Sequence, residues 1–320
     1  MKVLVTGANG FVGSALVARL RAAGHGVVPV IRSGTMAGAV VIGDIEKFSN
    51  WSDVLAGVDA VAHLAARAHV LRETVQDPAA EFRRVNVQAT LRLAEAAAAR
   101  GVAHFVFLSS IGVNGRSSGT QVFREEDAPN PGEPYAASKW QAECELLRLA
   151  ARGALKVTRL RPPLVVGAGV KGNLERLLRL VDAGVPLPLG AFEQRRSYVG
   201  LEDLCELVQL CLTREGAAGR LFLAAHRQDL STPELLDAMA AGLGRRPWVP
   251  AVPVGVVRAA CALIGQAGTL AKMTAPLRVS PERAERALGW ECRTGIAEHV
   301  RNMARAYRLE HPARSFVKAT

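Results

Sequence analysis

The chain has 320 residues, 49% apolar and 22% charged, which supports a substantial buried core and excludes a disordered chain. Its formal net charge is +11, with Arg supplying 33 of the 40 basic residues. The arginines are dispersed, with no basic arm and no aromatic interleaving, so no nucleic-acid partner is expected; a positive field also suits small anionic ligands.

The first predicted strand is Lys2–Thr6. It runs into Gly7, Gly10 and Gly13 and then into a predicted helix over Phe11–Ala23. Gly7 allows a tight turn, Gly10 lets backbone N–H groups approach a pyrophosphate, and Gly13 lets the helix pack close to the strand. The helix N-terminus adds partial positive charge where phosphates would sit. Further strands are predicted at Val27–Ile31, Val40–Ile42, Ala60–Leu64, Phe105–Leu108 and Leu155–Leu160. Helices are predicted at Trp51–Ala56, Ala79–Arg100 and Tyr135–Arg152, with Gly24 and Gly101 at helix stops. Strand–helix alternation predicts an α/β fold with a Rossmann-type, doubly wound parallel sheet.

Tyr135-Ala-Ala-Ser-Lys139 opens the last of these helices, after the loop Pro131–Pro134. Four residues apart, Tyr135 and Lys139 share a helix face. A phenol is a poor acid–base group at neutral pH, with a free pKa of about 10, and a nearby ammonium would lower it. The pair could then exchange a proton with an alcohol or carbonyl.

Beyond about residue 165 the pattern changes. A loop at Gly167-Ala-Gly169 precedes a predicted helix at Asn173–Ala183 and an extended stretch at Pro186–Gly190. Helices follow at Leu201–Leu212, Thr232–Leu243, Val254–Ile264 and Ile296–Tyr307. No second nucleotide fingerprint occurs here. The expected division is a dinucleotide-binding domain over 1–165 and a smaller, mostly helical substrate domain over 166–320. The most apolar stretch, Val249–Gly265, is interrupted by Arg258 and reads as a buried helix, a peripheral membrane contact being the alternative. No integral membrane segment is expected. Lys2 already belongs to the first predicted strand, so no leader is expected; with five scattered cysteines that read as reduced thiols, the expected compartment is the cytoplasm.

In chain order, the glycine loop, Gly43-Asp44-Ile45, His63-Leu-Ala-Ala66, Asn86, Leu108-Ser-Ser110, Tyr135/Lys139, Gly172-Asn173-Leu174 and Arg196-Ser-Tyr198-Val199 together resemble the extended short-chain dehydrogenase/reductases of the nucleotide-sugar epimerase and reductase type. The resemblance covers essentially the whole chain. It implies a cofactor site built from Gly7, Asn9, Gly10, Phe11, Val12, Gly13, Asp44, Ile45, Leu64, Ala65, Ala66 and Lys139, with Asp44 at the adenine amine. It implies Ser110, Tyr135 and Lys139 as catalytic residues. Ser109 is the rival of Ser110, which lies five residues before the loop glycine Gly115, as the family pattern requires. It implies Asn173 and Leu174 near a uracil ring, and Arg196, or its neighbour Arg195, at a diphosphate. Arg67 and His69 fall in the loop after the fourth strand; Arg67 is assigned to the substrate, and His69 is left out of the site.

The family's activities are separable by residue. Dehydratases carry an Asp-Glu pair after the catalytic hydroxyl; here Ile111-Gly112 follows Ser110 and cannot serve. Epimerases with tightly bound NAD usually place an acid after strand two for the ribose 2′-hydroxyl. This chain has Arg32, which suits a 2′-phosphate, so NADP(H) is favoured with NAD(H) the alternative. Val113–Gly115 and Gln194–Gly200 resemble a bacterial polysaccharide subgroup that reduces UDP-4-keto-6-deoxy-N-acetylhexosamines. The expectation is therefore a UDP-sugar 4-ketoreductase. A 4-epimerase is the alternative, and a non-catalytic dinucleotide-binding regulator is the lesser one. Relatives pair through helices equivalent to Ala79–Arg100 and Tyr135–Arg152, which implies a homodimer.

Overall fold

The computed structural model describes residues 1–68, 77–153 and 155–311; His69 lies outside them. The chain begins β1 (Lys2–Thr6), α1 (Phe11–Ala22), β2 (Gly26–Ile31), β3 (Val40–Val41), α2 (Trp51–Val54) and β4 (Ala60–His63). It continues α3 (Pro78–Arg83), α4 (Ala89–Ala99), β5 (His104–Leu108), α5 (Pro134–Ala151), β6 (Lys156–Arg161) and β7 (Leu164–Val166). The remainder is α6 (Asn173–Asp182), β8 (Tyr198–Gly200), α7 (Leu201–Thr213), β9 (Leu221–Leu223) and α8 (Thr232–Gly242). Four helices close the described chain: α9 (Val254–Leu263), α10 (Ala267–Thr274), α11 (Glu282–Leu288) and α12 (Ile296–Glu310).

Seven strands form one sheet in the order β3-β2-β1-β4-β5-β6-β9, all parallel. Parallel strands need crossovers, and apolar strand centres such as Val3–Val5 and Phe105–Phe107 are buried because helices cover both faces. One face packs on α1 and α7 and the other on α2, α4 and α5. Strand order reverses between β1 and β4, so the carboxyl ends there open a crevice suited to a ligand.

The expected α/β fold and parallel sheet are found, two local readings are corrected and a second sheet is added. The run Ala79–Arg100 is not one helix: α3 passes into a π-helical turn at Arg84–Gln88 before α4. A second, two-stranded parallel sheet, β7 with β8, was not legible in strands of three residues. The segment around α9 is not a buried helix, for Val257 is its one buried residue.

Three elements from beyond residue 165, α7, β9 and α11, pack in the layers of the large sheet. The other later elements build a separate core from α6, α8, α9, α10 and α12, with Leu177, Leu236, Met239 and Val300 at its centre. α8 begins with a capping box, in which Ser231 Oγ accepts from the Glu234 N–H and Glu234 returns a carboxylate to the Ser231 N–H.

Candidate active site

The glycines after β1 are fixed by backbone contact. Gly7 has φ +67°, and a Cβ there would lie 3.0 Å from the Ala65 nitrogen. A Cβ at Gly13 would lie 2.1 Å from the Gly7 carbonyl oxygen, closer than any side chain can approach. The first turn of α1 therefore sits directly on the loop. Gly10 is its N-cap and supplies no capping side chain, and no acidic residue lies in the first turn. The free N–H groups and the helix dipole make this cradle fit a dinucleotide pyrophosphate.

Asn9 Nδ2 donates to the Ser33 carbonyl at 2.9 Å, tying the loop to the end of β2. Phe11 and Val12 pack partly buried against the sheet core. Arg32, immediately after β2, is exposed and makes no side-chain hydrogen bond or ion pair among the described residues. Asp44 is exposed, 3.7 Å from Lys47, and Ile45 packs half-buried against the opposite core.

Behind the cradle runs a buried polar chain whose direction is determined. The Leu64 and Ala65 N–H groups both donate to Thr6 Oγ1 at 3.2 Å. Thr6 Oγ1 is 2.7 Å from His63 Nδ1, and His63 Nε2 is 2.8 Å from Thr90 Oγ1. Thr90 Oγ1 gives its own proton to the Asn86 carbonyl, so it must accept from His63 Nε2–H. His63 Nδ1 then accepts from the Thr6 hydroxyl, which fixes one neutral tautomer. Burial, aided by the charge of Lys139, pushes the His63 pKa down to about 3, so the ring stays neutral.

Asn86 extends this chain to the helix that carries Tyr135. Its Oδ1 accepts from the Arg67 N–H at 2.8 Å, and its Nδ2 donates to the Arg67 carbonyl and to Ser138 Oγ. Ser138 Oγ donates in turn to the Tyr135 carbonyl at 2.7 Å. Asn86 sits in the π-helical turn, a common device for aiming a side chain at a functional site. The loop over Leu64, Ala65, Ala66 and Arg67 is thereby clamped between β1 and α5. Thr6, Thr90 and Ser138 were not anticipated as members; His63 and Asn86 were the two that the family resemblance marked.

The two serines after β5 have different fates. Ser109 is buried and its hydroxyl donates to Glu143 Oε1 at 2.5 Å. Ser110 is half-buried; its Oγ accepts from the Gly112 N–H at 3.1 Å, which leaves its proton to give. The geometry thus selects Ser110 over Ser109 as the hydroxyl open to a ligand.

Tyr135 is the second residue of α5, after Pro134 at a position where its missing N–H costs nothing. Its ring packs against Phe82 with centroids 6.2 Å apart. Lys139 is fully buried one turn on; its Nζ donates to the Leu108 carbonyl at 2.7 Å and lies 4.4 Å over the Phe107 ring. The expected lowering of the phenol is not found. Burial holds Tyr135 up at about 12, and the Lys139 ammonium, turned to the strand end, does not offset it. Burial lowers Lys139 itself to about 7, opposed by the Glu143 carboxylate.

Glu143 has no exposed surface and is clasped by Arg161, whose Nε and Nη2 donate to its two oxygens at 2.9 and 2.7 Å. Arg161 Nη1 also donates to Asn114 Oδ1 at 2.8 Å. A bidentate pair of this kind locks the C-terminal ends of β5 and β6 to α5.

The residues assigned to substrate are more scattered in role. Arg67 is largely buried, with its guanidinium 5.7 Å over the Phe82 ring, beside Tyr135. Asn173 is exposed at the first turn of α6. The side chain of Leu174 is buried in the second core with Leu177 and Leu178, which leaves its backbone to face a ligand. Arg196 is half-buried against Tyr198 and donates to the Ala275 carbonyl. Arg195 is bound to Glu234 and to the Asp229 carbonyl.

Comparison with known proteins places these features in a family context. The model of the NAD dependent epimerase/dehydratase family matches residues 3–225. A UDP-glucose 4-epimerase of Vibrio cholerae is 34% identical over 313 residues, covering 95% of each chain. A GDP-6-deoxy-D-mannose reductase of Pseudomonas aeruginosa is 30% identical over 251 residues, covering 75% of this chain and 79% of that one. Among solved structures, MoeE5 in complex with UDP-glucose and NAD is 30% identical with a TM-score of 0.79, covering 97% of this chain and 99% of its own.

Proposed function

The chain belongs to the NAD dependent epimerase/dehydratase family, and on that premise we propose that it reduces the C4 keto group of a UDP-4-keto-6-deoxy-N-acetylhexosamine, using NADPH, for surface polysaccharide synthesis. Its activity is of the nucleotide-sugar epimerase/dehydratase type. The finer reading is carried by Arg32, an exposed guanidinium without an ion-pair partner among the described residues, at the strand end where the ribose would lie. No acidic residue occurs between Arg32 and Gly43 to hold a 2′-hydroxyl. A 2′-phosphate fits that site, and NADPH serves as an exchangeable reductant.

A dinucleotide held by the glycine cradle, Ala65, Ala66 and Lys139 would supply the hydride. The protein supplies the proton and the electrostatics. With its pKa near 12, Tyr135 is a protonated phenol at neutrality, ready to give that proton to the oxygen on C4. Ser110 donates a hydrogen bond to the same oxygen as it gains charge. Lys139, whose Nζ is held at the Leu108 carbonyl at the strand end, would bind the nicotinamide ribose of that dinucleotide and so keep it beside Tyr135.

A second reading is favoured by the Vibrio cholerae relative: a 4-epimerase working on UDP-hexoses with retained NAD. The two are separated by one assay. The reductase should consume NADPH only when a UDP-4-keto sugar is added. Interconversion of UDP-glucose and UDP-galactose without net cofactor use, and no NADPH consumption, would overturn the reductase reading in favour of the epimerase.

We further propose that residues 1–165 hold the dinucleotide and 166–320 the sugar nucleotide, with α7, β9 and α11 returning to the large sheet, and that the enzyme works in the cytoplasm as a homodimer through α4 and α5.

A further inference from the structure

The second core closes over only one side of the hairpin formed by α9 and α10. On α9, Val257 is buried and Cys261 packs against that core. Val254 on α9 and Leu270 and Met273 on α10 also pack there, while other apolar side chains face outward. Val256 is 58% exposed, Leu263 89% and Ile264 70%, the last two at the hairpin tip, and Trp248, in the segment before α9, is 63% exposed. A Cβ added at Gly255, Gly265 or Gly268 would meet nothing within 4 Å, so these positions lie on the open side of the hairpin. Val185 adds to the same apolar end, because the Leu187 N–H donates to the Trp248 carbonyl at 2.9 Å and brings the two segments together. Large exposed apolar side chains, with Leu263 and Ile264 side by side at the tip, mark an interaction site.

Charge identifies the occupant. No acidic residue lies between Asp237 and Glu282, while five residues there are basic. Arg245, Lys272 and Arg278 are paired with Asp182, Glu133 and Asp229. Arg246 and Arg258 are exposed and have no ion pair among the described residues. Two copies meeting here about a two-fold axis would bring these cations together, on chains of net charge +11 each, without an acid in the segment to answer them. An anionic lipid surface answers them directly.

We propose that the α9–α10 hairpin docks the protein on the surface of an anionic lipid bilayer. Leu263 and Ile264 enter the boundary between headgroups and acyl chains, Trp248 sits at the interface, and Arg246 and Arg258 meet the headgroup phosphates. At 10 residues α9 is about half the length needed to span, so the contact is peripheral. The Lys272–Glu133 ion pair, at 2.8 Å, joins the base of the hairpin to the residue that starts α5, and so to the helix of Tyr135.

The test is sedimentation of the full chain with vesicles of phosphatidylglycerol and phosphatidylcholine, against phosphatidylcholine alone. Binding is expected to the anionic vesicles, to weaken with salt, and to shift the tryptophan emission to the blue. The double variant L263S/I264S should lose about tenfold in partitioning, and R246Q/R258Q a comparable amount on anionic vesicles only. Unchanged circular dichroism melts show that both variants fold. Absence of wild-type binding overturns the proposal. So does L263S/I264S binding as well as wild type, which would mean adsorption by bulk charge. Loss of an oligomer in L263S/I264S, read by light scattering, would assign the surface to a second copy instead.

Discussion

Stability should fall as the solution turns alkaline, through one imidazole that joins the two cores. His299 on α12 places Nε2 2.8 Å from Asp203 Oδ2 and Nδ1 3.4 Å from Glu202 Oε2, both on α7. The carboxylates of Asp203 and Glu202 raise its pKa from 6.5 to about 9, against the opposing effect of burial. The folded value lies above the unfolded one. The contribution is therefore complete below pH 6.5 and is lost as pH rises through about 9. At roughly 1.4 kcal/mol per pH unit this bounds the effect at about 3 kcal/mol. Glu202 is largely exposed and screened, which brings it nearer 2 kcal/mol. For 320 residues the unfolding entropy is of order 0.7 kcal/mol/K, so Tm should change by about 3–4 °C. The assay is a series of melts of wild type and His299→Gln across that window at fixed ionic strength. The variant should melt lower in mild acid, and the two curves should converge above about pH 9. Curves that stay parallel across the window would refute the coupling.

Four further outcomes are expected. Tyr135→Phe should leave dinucleotide binding intact and cut turnover by about a hundredfold or more; an unchanged rate in steady-state assays would remove the phenol from the chemistry. Arg32→Ala should raise the Kd for NADPH about tenfold and leave that for NADH nearly unchanged, and equal effects by titration calorimetry would remove the 2′-phosphate assignment. Gly13→Ala should abolish dinucleotide binding and lower Tm, because its Cβ would fall 2.1 Å from the Gly7 oxygen; binding at wild-type strength would show that the cradle yields. Glu143→Gln should cost about 3–5 kcal/mol in denaturant unfolding by leaving Arg161 buried without its partner, and a change below about 1 kcal/mol would show that Arg161 finds another acceptor.

Local chemistry made much of this molecule readable in one dimension. Alternating apolar strands and helices imply a parallel sheet because parallel strands need crossovers. The glycines at 7, 10 and 13 announce a turn and a close helix–strand approach because only a missing Cβ permits either. Tyr135 and Lys139 stand one helical turn apart, a spacing that is purely local. Contacts between residues distant in sequence lay beyond that reach. Whether Lys139 acts on the phenol or turns to the Leu108 carbonyl depends on where β5 ends against α5. The chain from Thr6 through His63 and Thr90 to Asn86 and Ser138 joins four separate segments, and no periodicity encodes it. Leu174 and α9 show the same limit from opposite sides. Both are apolar and helical in sequence, yet one is buried in a core and the other left bare, since burial depends on what the rest of the chain brings to each face.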